Sequence, residues 1–518
     1  MMNRIAPWLC SRFAPMLLAV SVTWAVVAGP ARAYDFTVGG MPLSVMGYVN
    51  QGVAFNIVGG DHYDAKKGFE SAIFQFLLET KLQMADNLTF FGSTMVNTDW
   101  AYPLLDGKSD EWGEKQFDRS RDSLYVFDDY QDLLKELHLT WTPGNFLFRI
   151  GKQIVKWGET DGIRLMDQIN PADSRRGLAD VEFETTIIPI WLLRTEYFVQ
   201  PQTSWLTDLG VEFIFNPNAD FRGNEPILPG NDVSGIWAPN ISITHPALGF
   251  CHVGSYDIVK LDEPDAWDPD TFQYGVRLKG IVADAIVTLN YFNGRDNQPI
   301  FESTTGRVPP EPSPWDGNLI LHPGKKGHYP KLHFVGGTFS RDFPALRASV
   351  LGGVAPVLRT EVFYAFNSSF IYSPIIPPGE KELQKRDELR YALGLDWKFK
   401  VDWLNAKSYF STSTQFFHRK IFDYPDDFYF SGVEDDNYTA TFMINTSYFH
   451  NKLQPMFFWQ RDITFRANLF KTQIAWEQSD RLKYKLGFMV FDGRRVAKGF
   501  QPFSNKDFVY FTVAYRFS

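Results

Sequence analysis

From Leu43 to Phe517 the chain alternates apolar and polar residues with period two, in segments of about ten residues. Tyr274, Val276 and Leu278 fall on one face of such a segment, with Gln273, Gly275, Arg277 and Lys279 on the other. Leu389, Tyr391, Leu393, Leu395, Trp397 and Phe399 oppose Glu388, Arg390, Ala392, Gly394, Asp396 and Lys398 in the same way. A half-solvated soluble sheet also alternates. Here the apolar face is unusually aromatic, and aromatic residues make up 16% of the chain, with 47 Phe, 22 Tyr and 15 Trp. The segment length matches the roughly 9–11 residues that a tilted strand needs to cross a bilayer. The pattern predicts an all-β protein, a transmembrane antiparallel β-barrel, with a soluble β-domain as the alternative.

The connections alternate in length. Short ones fall at Ala85–Asn87, Pro143–Asn145, Ile281–Asp284, Val401–Leu404, Asn451–Lys452 and Gln478–Ser479. Long ones fall near 58–68, 99–131, 158–182, 217–271, 294–330, 368–387 and 419–437. Short periplasmic turns and long extracellular loops are the habit of bacterial barrels. The count of strands is about 16–18. It favours 18, an even number that returns both ends to the periplasm; segments 217–271 and 341–356 leave 16 open. A hairpin at Phe250–Lys260 is one way to fill the longest loop. The final FVYFTVAYRFS places Phe511, Val513, Tyr515 and Phe517 on one face and resembles the terminal strand of outer-membrane proteins.

Residues 1–33 read as a signal peptide. Arg4 and Arg12 precede the apolar stretch Met16–Gly29, and Ala31-Arg32-Ala33 is a small-x-small cleavage site. Residues 34–518 form the expected barrel, in the outer membrane of a Gram-negative bacterium. Its first strand starts so soon after Ala33 that an N-terminal plug domain is not expected. After the signal the longest apolar run is Ile187–Leu193, interrupted by Pro189, too short for a membrane helix. Of two cysteines, Cys10 lies in the signal, so Cys251 has no partner for a disulfide in the mature chain.

The net charge of −9 argues against nucleic acid as a partner. Charge is unevenly placed. Lipid exposure of an Arg or Lys at mid-bilayer costs about 2–4 kcal/mol, so strand charges are expected to face the lumen. The candidates are Arg194, Glu196, Arg277, Lys279, Arg359, Glu361, Arg390, Asp396 and Lys398. With Arg481, Lys483, Lys485 and Arg516 they give a wall that leans basic, either solvated and internally paired or favouring anions. The tetrapeptide Leu193-Arg194-Thr195-Glu196 is echoed by Leu358-Arg359-Thr360-Glu361.

The loops are acidic, as in Asp262–Asp270 and Asp423–Asp436, but neither run has EF-hand spacing, and solvated loops are expected. His-Glu-x-x-His, Gly-x-Ser-x-Gly and P-loop signatures are absent, and His322, His328 and His333 have no spacing of a metal site. No catalytic residue, metal or cofactor is expected, and the chain does not read as an enzyme. A lipid hydrolase whose residues meet only in space is an alternative.

One stretch stands apart: RIGKQIVKWGETDGIRLMDQINPADSRRG, Arg149 to Gly177. Its start reads as a strand over Phe146–Trp157, with Arg149, Gly151, Gln153, Val155 and Trp157 on one face; Lys152 and Lys156 on the other face call for a bulge near Gly151 or Lys152. The rest, with Glu159, Asp161, Arg164, Asp167, Asp173, Arg175 and Arg176, reads as a charged loop. Such a loop either folds into the barrel and sets acids against bases at a constriction, or faces outward, braced by salt bridges. The pore candidates are therefore Arg149, Gln153, Glu159, Asp161, Arg164, Asp167, Asp173, Arg175 and Arg176.

This stretch, with LSVMGYVNQGVAFNI near the start and LQPMFFWQRDITF near the end, resembles the signature of a large proteobacterial family of porin-like outer-membrane barrels. The family is a domain of unknown function, number thirteen-oh-two. The resemblance spans essentially the mature chain. It implies an outer-membrane barrel, often encoded beside an RND-superfamily exporter and a periplasmic partner, and traffic of hydrophobic or lipid-like compounds. It implies no substrate and no catalytic residue. The expected function is a channel or porin-like transporter for hydrophobic or amphipathic acidic compounds, set among outer-membrane lipids and lipopolysaccharide. A non-conducting partner of an RND-type exporter is the second alternative.

Overall fold

The computed structural model describes residues 34–58, 67–99, 133–173, 186–201, 203–224, 243–244, 251–253, 257–304, 311–312, 319–321, 324–347, 353–372, 378–427, 430–494, 498–503 and 506–517. The signal region, Arg175, Arg176, His322 and most of 99–131 lie outside them.

The alternating segments become strands of one antiparallel sheet. In chain order they are β1 (Met41–Asn56), β2 (Ile73–Ala85), β3 (Leu88–Asp99), β4 (Leu134–Trp141), β5 (Phe146–Gln153) and β6 (Ile190–Val199). Next come β7 (Leu206–Asn216), β8 (Gln273–Val282), β9 (Ala285–Arg295), β10 (Lys331–Asp342), β11 (Val357–Ile371) and β12 (Leu383–Phe399). The last six are β13 (Phe410–Ile421), β14 (Asp436–Asn445), β15 (Leu453–Asp462), β16 (Ala467–Glu477), β17 (Leu482–Asp492) and β18 (Phe508–Phe517). Each pairs with the next, and β1 pairs with β18 from Gly47↔Phe517 to Asn56↔Phe508, so the sheet closes into a barrel of 18 strands. Two short strands, Tyr34–Val38 and Gly68–Ser71, are appended to β1. The alternative of 16 strands is thereby excluded. No helix among the described residues is long and apolar enough to span a membrane.

Closure follows from the solvent. Hydrocarbon offers backbone N–H and C=O groups no partners, so a spanning sheet must have no edge. The side chains that remain exposed are those of a lipid surface: Leu289 at 62%, Ile150 at 61% and Ile474 at 52%. Paired aromatic rings mark both rims. Trp141 lies on Phe148, Phe146 on Tyr197 and Phe399 on Phe410 near the short turns. Tyr274 meets Tyr291, and His418 stacks on Tyr438, near the long loops. This is the double girdle of a membrane barrel, and its place is the outer membrane.

The tight turns obey local chemistry. Ala283 (φ 47°) and Asp284 (φ 64°) both take the left-handed conformation that a two-residue hairpin demands. The longest loop differs from the expected hairpin at Phe250–Lys260. Cys251–Val253 and Asp257–Asp262 do not pair with each other. They pair in parallel with Leu319–Leu321 and Gly324–His328 of the loop between β9 and β10, so two extracellular loops share small sheets. Non-local pairing of this kind has no signature in local sequence.

The seam is tight. A Cβ on Gly47 would lie 2.1 Å from Leu77 O and 2.7 Å from the Phe517 ring, which itself stacks on Phe76 at 6.2 Å. Gly47→Val is therefore expected to abolish the compact, heat-sensitive migration of the folded barrel on SDS gels. Gly210→Ala, whose Cβ would meet nothing nearer than 3.7 Å, keeps it.

Candidate functional site

Strand β5 ends at Gln153, four residues short of the expected Trp157. The pairing through Gly151 and Lys152 is continuous with both neighbours, so the register needs no bulge. The anomaly is conformational instead. Gly151 has φ 134°, and a Cβ there would sit 2.1 Å from Leu137 O. Lys152 is buried and donates from Nζ to Leu134 O at 2.8 Å. Beyond Gln153 the chain leaves the sheet and turns into the lumen.

The in-folded segment, 154–172, has its own framework. Asn170 staples its two limbs together: its Oδ1 accepts from Val155 N at 2.7 Å, and its Nδ2 donates to Gln153 O and Ile188 O. Asp167 Oδ1 accepts from Trp157 N at 2.6 Å and Gly158 N at 2.8 Å. Arg164 donates from Nη2 to Asn170 O at 2.5 Å. Burial lowers the Arg164 pKa, and nearby Asp167 opposes that shift. These are the residues that make Trp-Gly and Asp-Gln-Ile-Asn a folded unit instead of a solvated loop.

The wall then grips this unit. Val155, Trp157, Leu165, Met166 and Ile169 pack in one apolar cluster with Ile190, Leu192, Ile214, Phe292, Phe334, Phe363, Ala392 and Phe417 of the strands from β6 to β13. Trp157, fully buried, meets Phe292 and Phe334 edge-on at 6.5 Å and donates from Nε1 to Glu212 Oε1 at 3.1 Å. Two wall glycines make the space. A Cβ on Gly275 would lie 2.6 Å from the Trp157 ring, and one on Gly336 would lie 2.8 Å from Met166 Sδ. Each is a socket for one side chain of the segment.

Glu361 of β11 is the polar anchor. Its carboxylate is 0% exposed and accepts three backbone N–H groups of the segment: Glu159 and Thr160 (2.7 Å) on Oε1, and Met166 (3.1 Å) on Oε2. A buried carboxylate is tolerated when charge-assisted hydrogen bonds replace water. Beside it, Arg359 donates to Glu159 O, to Asp161 Oδ2 at 2.5 Å and to Asp396 Oδ1 at 2.9 Å. Gln415 Oε1 accepts from Asp161 N at 3.1 Å. Asp161, half exposed at the tip of the turn, is thus held on its wall side and open on the other.

The other sequence candidates fall as follows. Arg149 and Arg194 are directly opposed in register on β5 and β6. Arg194 reaches Glu196 at 2.6 Å and Glu212 at 3.4 Å, and Arg149 donates to Thr140 Oγ1 at 2.9 Å. Arg277 is buried and donates to Lys156 O of the segment. Gln153 is buried and donates to Leu192 O at 3.1 Å. Lys279 and Lys398 share the lumenal side of their strands with Arg277 and Asp396, and Lys279 is exposed. Arg390 pairs with Glu388 at 2.6 Å. Asp173 N donates to Thr186 O at the point where the segment returns to the wall. Sequence reasoning missed Gly275, Gly336, Asn170, Glu212 and Gln415. The two glycines sit within alternating strands where their lack of a side chain was visible, but nothing local said which side chain would fill the space.

Removing the anchor tests the arrangement. Glu361→Ala leaves three N–H groups without their acceptor, that of Met166 fully buried and those of Glu159 and Thr160 partly so, at up to about 1–3 kcal/mol each. Hydrogen exchange of the amides of 159–166 is expected to accelerate roughly a hundred-fold or more, with strand amides of β14–β18 unchanged. Unchanged exchange in the segment would show that the apolar cluster alone holds it.

No curated protein matches the chain. Among solved structures, OccAB3 of Acinetobacter baumannii is 8% identical, with 92% of this chain and 99% of that chain covered and a TM-score of 0.46. OccK5 (OpdH) of Pseudomonas aeruginosa is 10% identical, with 92% and 98% covered and a TM-score of 0.42. OmpT of Vibrio cholerae is 7% identical, with 94% and 100% covered and a TM-score of 0.38. Residues 14–517 match the family described as "Protein of unknown function (DUF1302)", and with nearly the whole barrel inside that match the chain belongs to this family.

Proposed function

We propose that this outer-membrane barrel is a channel, porin-like in kind, whose opening is set by the in-folded segment 154–172. In this reading it is not an enzyme. It lies among outer-membrane lipids and lipopolysaccharide, and its solutes are amphipathic acids and related hydrophobic compounds.

The observation that carries the reading is the one-sidedness of the packing. The segment is bonded to strands from β6 to β13, and its apolar side chains find their partners there. The pairing register gives the opposite half of the wall a different lumenal face: Lys471, Gln473 and Glu477 on β16, Lys483 and Lys485 on β17, Arg516 on β18 and Lys81 on β2. Lys483 pairs with Glu477 at 3.1 Å, and Lys471 lies 5.7 Å from the Tyr510 ring centre. Nearer the long loops the same half carries a buried apolar cluster of its own, Leu469, Met489, Phe491, Phe508 and Tyr510, so the cations form a band below it. A cation-rich band on the lumenal wall supports a passage that favours anions yet remains solvated.

Single-channel recording on the purified protein tests the proposal. Measurable conductance with preference for anions is expected. Asp161→Lys is expected to move the reversal potential further in the anion direction, and Glu361→Ala is expected to raise the mean conductance. A barrel that carries no current, in native form and as Glu361→Ala, would overturn the channel reading.

A further inference from the structure

Outward of the in-folded segment, the lumenal faces of β12 and β13 carry a second cluster. Arg390 and Arg419 are register partners, and both reach Glu388. Arg390 donates to Glu388 from Nη2 at 2.6 Å and from Nε at 3.1 Å, and Arg419 donates from Nε at 2.6 Å. Ser368 Oγ donates to the same carboxylate at 2.9 Å. Glu388 is 1% exposed, while the side chains of Arg390 and Arg419 keep 21% and 29% exposure. The acid is sunk in the wall and the two cations stand above it.

Each guanidinium lies over an aromatic ring. Arg390 lies 4.9 Å from the Phe363 centre and Arg419 5.4 Å from that of Phe370; two lumenal positions outward of Arg390 on β12, Arg386 lies 5.9 Å from that of Phe430. The rings are buried, so they act as a floor that fixes the guanidinium planes. A guanidinium has five N–H donors. Arg390 spends two of its nitrogens on Glu388 and Arg419 one. Arg386 donates only to uncharged groups, Asp423 O, Gln384 Oε1 and Lys385 O. Among the described residues no group accepts from Nη1 of Arg390, from either terminal nitrogen of Arg419 or from Nη2 of Arg386. Among the described residues, Glu388 and Asp296 are the acids that act on Arg390 and Arg419. Arg386 adds a third cation with no ion pair among the described residues, so the cluster keeps one positive charge and donors that no described group uses.

We infer that Arg386, Arg390 and Arg419 form a binding station for a carboxylate group, outward of the in-folded segment on the lumenal wall. The fork of a guanidinium matches the two oxygens of a carboxylate, and Glu388 shows the fit inside the cluster itself. The rings beneath remove rotamer freedom that flexible cations would otherwise lose on binding. A solute carboxylate held here rests on the outer side of Phe363, whose other neighbour is Phe334 of the segment's apolar cluster. The station deepens the channel reading, because it supplies the recognition of an acid before the constriction.

Equilibrium dialysis of the detergent-solubilised barrel at low ionic strength tests this, with benzoate as the probe and benzamide as its neutral counterpart. Saturable benzoate binding is expected, with no binding of benzamide at matched concentration. The double variant Arg386→Gln, Arg419→Gln is expected to weaken benzoate roughly ten-fold or more, the scale of lost charge-assisted hydrogen bonds. Arg390 is kept so that Glu388 remains paired. Arg386→Gln alone breaks no ion pair, so it folds and still weakens benzoate; heat-sensitive gel migration confirms folding. Equal binding of benzamide, affinity in the double variant within two-fold of native, or inorganic phosphate displacing benzoate at lower concentration than benzoate itself would overturn the assignment. Binding needs no flux, so benzoate binding in a barrel that conducts nothing would end the channel reading and leave the station intact.

Discussion

Everything in this molecule depends on a backbone that must satisfy its own hydrogen bonds in hydrocarbon. That constraint turns a row of alternating segments into a cylinder, because any free edge would leave a column of N–H and C=O groups in lipid. The β1–β18 ladder, with Gly47 lying under the Phe517 ring, is where the constraint is met. Closure separates two surfaces. The outer one takes Leu289, Ile150 and Ile474, and the inner one takes the charges.

An interior that wide needs filling on one side if it is to have a defined shape. The chain fills it with its own segment 154–172, and the junction has the features of a protein core more than of a loop on a surface. Trp157 and Met166 sit in sockets left by Gly275 and Gly336, and Glu361 closes three backbone N–H groups that the segment cannot satisfy internally. The polar anchor sets position, and the buried side chains of Trp157 and Met166 add stabilisation of the same order, about 1.5–3 kcal/mol each. The lumen then has two packed regions, this one and the cluster of Leu469, Met489, Phe491, Phe508 and Tyr510 near the long loops, with the charged faces of β16 and β17 beside them.

Much of this was legible in advance. Alternation is local, and Tyr274, Leu278 and Leu393 point outward as their parity says. The echo of Arg194-Thr195-Glu196 in Arg359-Thr360-Glu361 marked two strands with the same inward chemistry, yet their acids do different things. Glu196 pairs with its own Arg194, and Glu361 holds the segment. The difference lies in what each strand faces across the lumen, and no window along the chain contains that. The strand end at Gln153, expected at Trp157, was hidden for a related reason. Val155 and Trp157 continue the parity of Arg149, Gly151 and Gln153, the lumenal face of β5, but their partners are Ile214, Phe292 and Phe334 in the interior and not a neighbouring strand.

The sequence by itself determined a membrane-spanning antiparallel barrel, its alternating long and short connections and the charged stretch from Arg149 to Gly177 as its exceptional part. Period and polarity act between residues close in the chain, so they can be read there. Only the tertiary structure decided that the stretch folds inward, which half of the wall receives it, and that three arginines gather over Phe363, Phe370 and Phe430. Those outcomes come from shape and charge meeting across the barrel, between residues about two hundred positions apart, such as Glu159 and Glu361. Side chains that far apart in the chain become neighbours only when the sheet has closed.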